Sequence, residues 1–258
     1  MTVRELLDAF ARLQKTIVPI LEELGRNLSA LDLEELKRDL ETLPQTGPEF
    51  KERVGGFLIE RGWFIYYKLS FGEAMAIARL IRDGRYDDVD DFVLKISHGV
   101  SENTLDLLVE CFPNREPILR QAFEAHNNRQ YAVSIPTMLA QWDGIFLDLC
   151  GTNFFRRNSE YNRVCTKLKN RYGLNTEKAL KFTLEMYLEP FFEAEFLKES
   201  NKVWKQRLNS SSYRPLNRNV ILHGNDTQYP TEANSYRVIQ MLAFLALIYS
   251  EIEQLRED

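Results

Sequence analysis

The chain has 258 residues, 44% of them hydrophobic, and a formal net charge of −5. Such a length allows one large or two modest domains, and such a composition supports a packed core, which excludes wholesale disorder. The charge is uneven: residues 1–125 hold 16 Lys and Arg against 23 Asp and Glu, and residues 126–258 hold 17 against 15, so a polyanionic partner is expected to meet the second half.

The N-terminal segment carries Val3, Phe10, Ile17 and Leu24 at a spacing of seven, with Leu6, Leu13 and Ile20 three residues on. That stripe predicts one helix, bent at Pro19, facing either its own core or a second copy. A second helix is predicted over 27–43, with Asp32 a plausible N-cap. Residues 61–71 hold Trp63, Phe64, Tyr66, Tyr67 and Phe71; they read as an aromatic connector packed under a helical bundle. An antiparallel helix pair is predicted over 71–84 and 86–97, with Gly84 as the stop. Ser101 is expected to cap a helix over 101–112, and the prolines of 113–130 suit a first helical turn. Residues 131–151 are mostly apolar and predict a buried helix that Pro136 either kinks or starts. A helix broken near Pro190 is predicted over 176–200, and a long final helix over 231–258, with Asn234 in place of the Glu or Gln of a full capping box after Thr231. Strand signals are poor throughout, so the expected fold class is all-α, with a helical region over 1–125 and a second helical domain over 126–258 beginning at the polar stretch 126–130.

Three scattered cysteines, Cys111, Cys150 and Cys165, form neither a disulfide framework nor a zinc motif and point to a reducing compartment. The N-terminus shows no signal-peptide core, and the longest apolar run, 241–249, is about half a bilayer span. A cytoplasmic, non-membrane protein is expected. No phosphate-loop or dinucleotide glycine motif occurs. The stretch 99–103 lacks the last glycine of a nucleophile elbow. The acids of 87–91 suit the first turn of a helix, where the dipole favours them. His98 and His126 have no partner at ligand spacing and are expected to be surface or satisfied, partly buried histidines.

Two stretches are strongly basic. Residues 156–171 contain Arg156, Arg157, Arg163, Lys167, Lys169 and Arg171 against one Glu. Residues 198–218 contain Lys198, Lys202, Lys205, Arg207, Arg214 and Arg218, again against one Glu. They are candidate phosphate-tracking residues leading to the sequence 216–229, LNRNVILHGNDTQY. On a helix Asn219 and His223 share a face, while Arg218 and His223 are roughly 140° apart, an angle a long guanidinium covers in part. Imidazole near neutrality can take the proton of a ribose 2′-hydroxyl, and guanidinium can hold the non-bridging oxygens of a phosphodiester as charge develops. That chemistry requires no metal or cofactor. The plainer alternative is an Arg and a His decorating a helix end.

At Arg218-Asn219-Val220-Ile221-Leu222-His223 the sequence resembles the HEPN superfamily, whose hallmark is an Arg, a polar residue and a His separated by a few positions. The helices 131–151 and 231–258 add to the resemblance, which covers about 126–258. It implies a helical bundle that forms a homodimer with two Arg/His motifs in one cleft, and a metal-independent endoribonuclease of the kind found among toxins and phage-defence effectors, with an antitoxin or regulatory partner. By that resemblance Arg218 and His223 are the catalytic pair, Asn219 their polar companion, and Asp143 an acidic residue able to orient either. The chain departs from the family in a large basic insertion at 152–211. The alternative function is a non-catalytic dimer module that binds RNA or protein.

Overall fold

The computed structural model describes residues 54–64, 69–101, 103–151, 161–172, 202, 204–206 and 216–257. The stripe over 3–24, the helices expected over 27–43 and 176–200, and Arg156, Arg157, Arg207 and Arg214 lie outside the described residues, as do the side chains of Arg163 and Lys169. Every regular element described is helical and no strand occurs among these residues, so the protein is all-α over its described part. The helices are α1 (Gly56–Glu60), α2 (Phe71–Arg82), α3 (Tyr86–Ser101), α4 (Thr104–Cys111), α5 (Glu116–Asn127), α6 (Tyr131–Cys150), α7 (Tyr161–Tyr172), α8 (Arg218–Leu222) and α9 (Glu232–Glu257). Residues 51–258 group as one compact unit. The boundary expected at 126–130 falls inside it, at a tight turn between α5 and α6.

The core forms around α9. At 26 residues it spans roughly 39 Å, and residues 234–246 are buried on every side. A helix buried around its whole circumference belongs at the centre of a bundle, and its buried polar residues Asn234, Ser235, Arg237 and Gln240 find partners there. Helices α3, α4 and α6 pack on it; α5, α7 and α8 pack on α6, and α2 on α3. Trp142 and Phe146 of α6 stack at 5.3 Å. The Trp142 indole donates to the Met241 carbonyl at 3.2 Å. Trp63 and Phe64 are fully buried, and the Phe64 amide donates to the Gln240 side chain at 3.1 Å, so the described start of the aromatic connector lies under the bundle as expected.

Local chemistry sets the helix ends. Ser70 and Glu73 form a reciprocal capping box at the start of α2. Gly84 takes φ +69 after it, and the Gly84→Ile81 and Arg85→Leu80 backbone bonds close a Schellman turn. The same turn ends α5, but there Arg129 occupies the left-handed position at φ 59. Two expectations change. Ser101 closes α3 and does not cap α4, which starts at Thr104 after Asn103. Pro136 does not mark the start of its helix, which begins at Tyr131 and runs through it. Proline at 136 removes the N–H that would bond the Ala132 carbonyl. The Tyr229 hydroxyl donates to that carbonyl instead, at 2.8 Å, which supplies the missing partner.

Candidate functional site

The short helix α8 is defined at both ends by its own sequence. Asn217, buried at 2% exposure, is extended at the N-cap, and its side-chain oxygen accepts from the Val220 amide at 3.1 Å. After Leu222, His223 forms the C-cap and Gly224 takes φ +68. Bonds from Gly224 to Ile221 (2.9 Å) and from Asn225 to Val220 (2.8 Å) complete a Schellman turn. Any residue with a Cβ is strained at that φ, so Gly224 fixes where the helix ends and where His223 stands. Leu216, Val220 and Ile221 are buried and seat α8 on α6. That burial leaves Arg218 and Asn219 half-buried and His223 exposed.

Arg218 reaches across to α6. One guanidinium nitrogen pairs with Asp143 Oδ2 in a close ion pair, and the other donates to Asn219 Oδ1 at 3.1 Å. The Arg218 and Asp143 side chains are 23% and 22% exposed, so solvent screens the pair only in part. Burial pushes the Asp143 carboxyl above the usual carboxylate range, against the Arg218 guanidinium, which draws it down. Its second oxygen, Oδ1, is buried without a hydrogen-bond partner among the described residues. The structure thus brings Arg218, Asn219 and Asp143 together. It places His223 one turn along the same short helix, its amide bonded to the Asn219 carbonyl at 3.1 Å. No side-chain contact joins the imidazole to Asp143 among the described residues. Asp143 orients Arg218 and not His223.

A second arginine, Arg115 from the short 3-10 turn Pro113–Arg115 ahead of α5, reaches α6 beside Gly144. Arg115 donates to Gln141 Oε1 at 2.9 Å and pairs with Asp148. Its guanidinium crosses Gly144, where an added Cβ would come within 2.6 Å of it. Glycine in mid-helix is what lets this side chain lie flat.

Comparison with protein-family models, curated proteins and solved structures finds no match to this chain. Of the candidate phosphate-tracking residues, Lys202 and Lys205 are exposed. Lys167 donates to the Gly151 carbonyl at 2.8 Å and Arg171 reaches the same glycine, so both lie at the C-terminal end of α6, where cations suit the carbonyl ends of a helix. Among the described residues no three His, Cys, Asp or Glu side chains are grouped to hold a metal ion. No described helix is long and apolar enough to cross a membrane. The three cysteines are free thiols.

Two polar clusters were not foreseen. Asp87 and Asp88 occupy the first turn of α3 as expected, but Asp90 turns inward. It accepts from the Trp63 indole at 2.6 Å, from Arg61 at 3.0 Å and from Arg237 at 3.2 Å. Arg237 also donates to Asn234 at 2.8 Å and lies 4.4 Å over the Trp63 ring. The spacing within 87–91 contained the signal: Asp90 is the acid of that run on the face of Val89 and Val93, both fully buried. The second cluster gathers His98 and His126 around Tyr236. Only the tertiary fold reveals it, because its members come from three helices.

Proposed function

We propose that this protein is a metal-independent endoribonuclease of the HEPN type, working as a homodimer in the cytoplasm. The observation that carries the reading is the Asp143-held Arg218 beside Asn219, one turn from the exposed His223. A guanidinium fixed by a carboxylate is preorganised for the non-bridging oxygens of a phosphodiester, and an exposed imidazole can exchange protons with a bound nucleotide. His223 acts as general base or acid. Arg218 stabilises charge at the phosphate, Asn219 positions Arg218, and Asp143 positions it from behind. Attack by the 2′-hydroxyl leaves a 2′,3′-cyclic phosphate and a free 5′-hydroxyl. One chain offers one histidine at the site; a two-fold axis supplies the second acid–base group that the reaction uses. Val133 and Leu147, 58% and 42% exposed on α6, are fourteen residues apart, which brings them to within about 40° of one helix face. They support a subunit contact along the helix that carries Asp143. A role as toxin or defence effector, with an antitoxin or regulatory partner, follows from the resemblance.

One observation favours a second reading, a non-catalytic module that binds RNA or protein: the Arg218 guanidinium already has Asp143 and Asn219 as partners. Incubation of the purified protein with labelled single-stranded RNA in EDTA separates the two. The nuclease reading expects cleavage that Arg218→Ala and His223→Ala each abolish. Cleavage that stops with chelator, or that both variants retain, contradicts it; salt-dependent binding without cleavage selects the module.

A further inference from the structure

His126, in the last turn of α5, is 7% exposed. Its Nδ1 lies 2.7 Å from Ser235 Oγ, which lies 3.3 Å from Ser134 Oγ. Both serines are fully buried. The imidazole meets Tyr236 edge-on, with centroids 4.8 Å apart, and leans on Tyr131 at 5.9 Å. From α3, His98 stacks on the same Tyr236 at 4.9 Å, and its Nε2 stands 3.6 Å from the Glu232 carboxylate. Two of the chain's three histidines therefore share one tyrosine, and the groups around it tie the first turns of α9 to α3, α5 and α6.

Among the described residues, the titratable and charged groups around His126 are His98 from α3, Tyr131 from α6, and Glu232 and Tyr236 from α9, with Arg129 just past the end of its own helix. The carboxylate in this set already faces His98. Hydroxyls and ring edges satisfy a neutral imidazole but compensate a cation poorly. We propose that the cluster of His98, His126, Ser235 and Tyr236 is an acid-operated latch, in which charging His126 releases the first turns of α9 from the ends of α3, α5 and α6. The latch also lies close to the loop that returns from His223, because Tyr229 of that loop bonds Ala132, next to Tyr131.

The direction of the effect is fixed. Burial holds the His126 imidazole below its ordinary value, the Glu232 carboxylate draws it back up, and His98 presses it further down. A base depressed on folding stabilises the folded state fully above its unfolded value. That stability is lost as pH falls from there through the depressed folded value.

The test is amide hydrogen exchange over residues 232–238 between pH 7.5 and 5, corrected for intrinsic rates, in the full chain and in His126→Asn, which keeps a partner for Ser235 but does not titrate. In the unmodified chain the opening constant is expected to rise by up to about tenfold per pH unit on acidification, the limit for one linked proton. The variant is expected to show a flat profile. Equal pH dependence in the two proteins overturns the proposal. If the variant does not fold, an NMR titration of His126 in the unmodified chain decides. A midpoint below about 6.5, the ordinary histidine value, supports the latch, and one at or above it overturns it.

Discussion

Two arginine–aspartate pairs in this protein use the same chemistry to different ends. Arg237 and Asp90 lie inside the bundle. The Arg237 side chain is 6% exposed and engages Asp90, Asn234 and the face of Trp63, while Asp90 accepts from three side chains. Arg218 and Asp143 lie at an edge, each between a fifth and a quarter exposed, with the exposed His223 nearby. The first pair joins three parts of the chain, which enclose Arg237 almost completely and leave a fifth of the Asp90 side chain exposed. The second joins α6 and α8, with the exposed imidazole of His223 one turn along. The aspartates are about equally exposed, so what separates scaffold from candidate site is how completely the arginine is enclosed, 6% exposed at Arg237 against 23% at Arg218.

Substitutions can break this contrast. Asp90→Ala removes the common acceptor of Arg61, Trp63 and Arg237 and is expected to lower stability by about 3–5 kcal/mol, the range for a buried pair stripped of one member; denaturant unfolding measures it. A loss no greater than that of Arg218→Ala would erase the distinction. Arg218→Ala is expected to lower stability by about 1–3 kcal/mol at pH 7, because it leaves the Asp143 carboxylate without its counterion. The deficit carries a pH signature. Asp143 is raised on folding, so its contribution is greatest when protonated and declines as pH rises through the folded value. Without Arg218 that decline steepens, so the gap between variant and parent should narrow on acidification. A gap constant with pH would mean that Asp143 is not the partner affected. Tyr229→Phe removes the donor to the Ala132 carbonyl that Pro136 leaves without its usual bond. It is expected to lower stability by about 0.5–1.5 kcal/mol, with no change beyond that range.

How much of this was legible in the sequence differs from element to element. The buried helix over Tyr131–Cys150 and the final helix over Glu232–Glu257 followed from apolar runs that long-range packing reinforced. The stop at Gly84 followed from local turn chemistry. At 218–222 the sequence offered a helix on which Asn219 and His223 share a face, and the family resemblance pointed to Asp143 without showing which of Arg218 and His223 it holds. Of the two readings open for Pro136, a kink or a helix start, the start does not hold, and the donor that compensates the proline inside the helix comes from Tyr229, 93 positions on. Asp90 was hidden by its acidic neighbours, which do serve the helix dipole. The pairing of His98 with His126 was not legible, since histidines on separate helices have no spacing to read. Local signals gave the elements; long-range polar partners needed the fold.

The central claim is that Arg218 and His223 act on RNA, His223 without a part in holding the fold. The most direct measurement pairs thermal unfolding of His223→Ala with analysis of the RNA ends produced by the parent protein and by the variant in EDTA. His223 is exposed, so the variant should unfold within about 0.5 kcal/mol of the parent, while the parent alone generates 2′,3′-cyclic phosphate ends. Equal yields of those ends from both proteins, or none from either, would contradict the account.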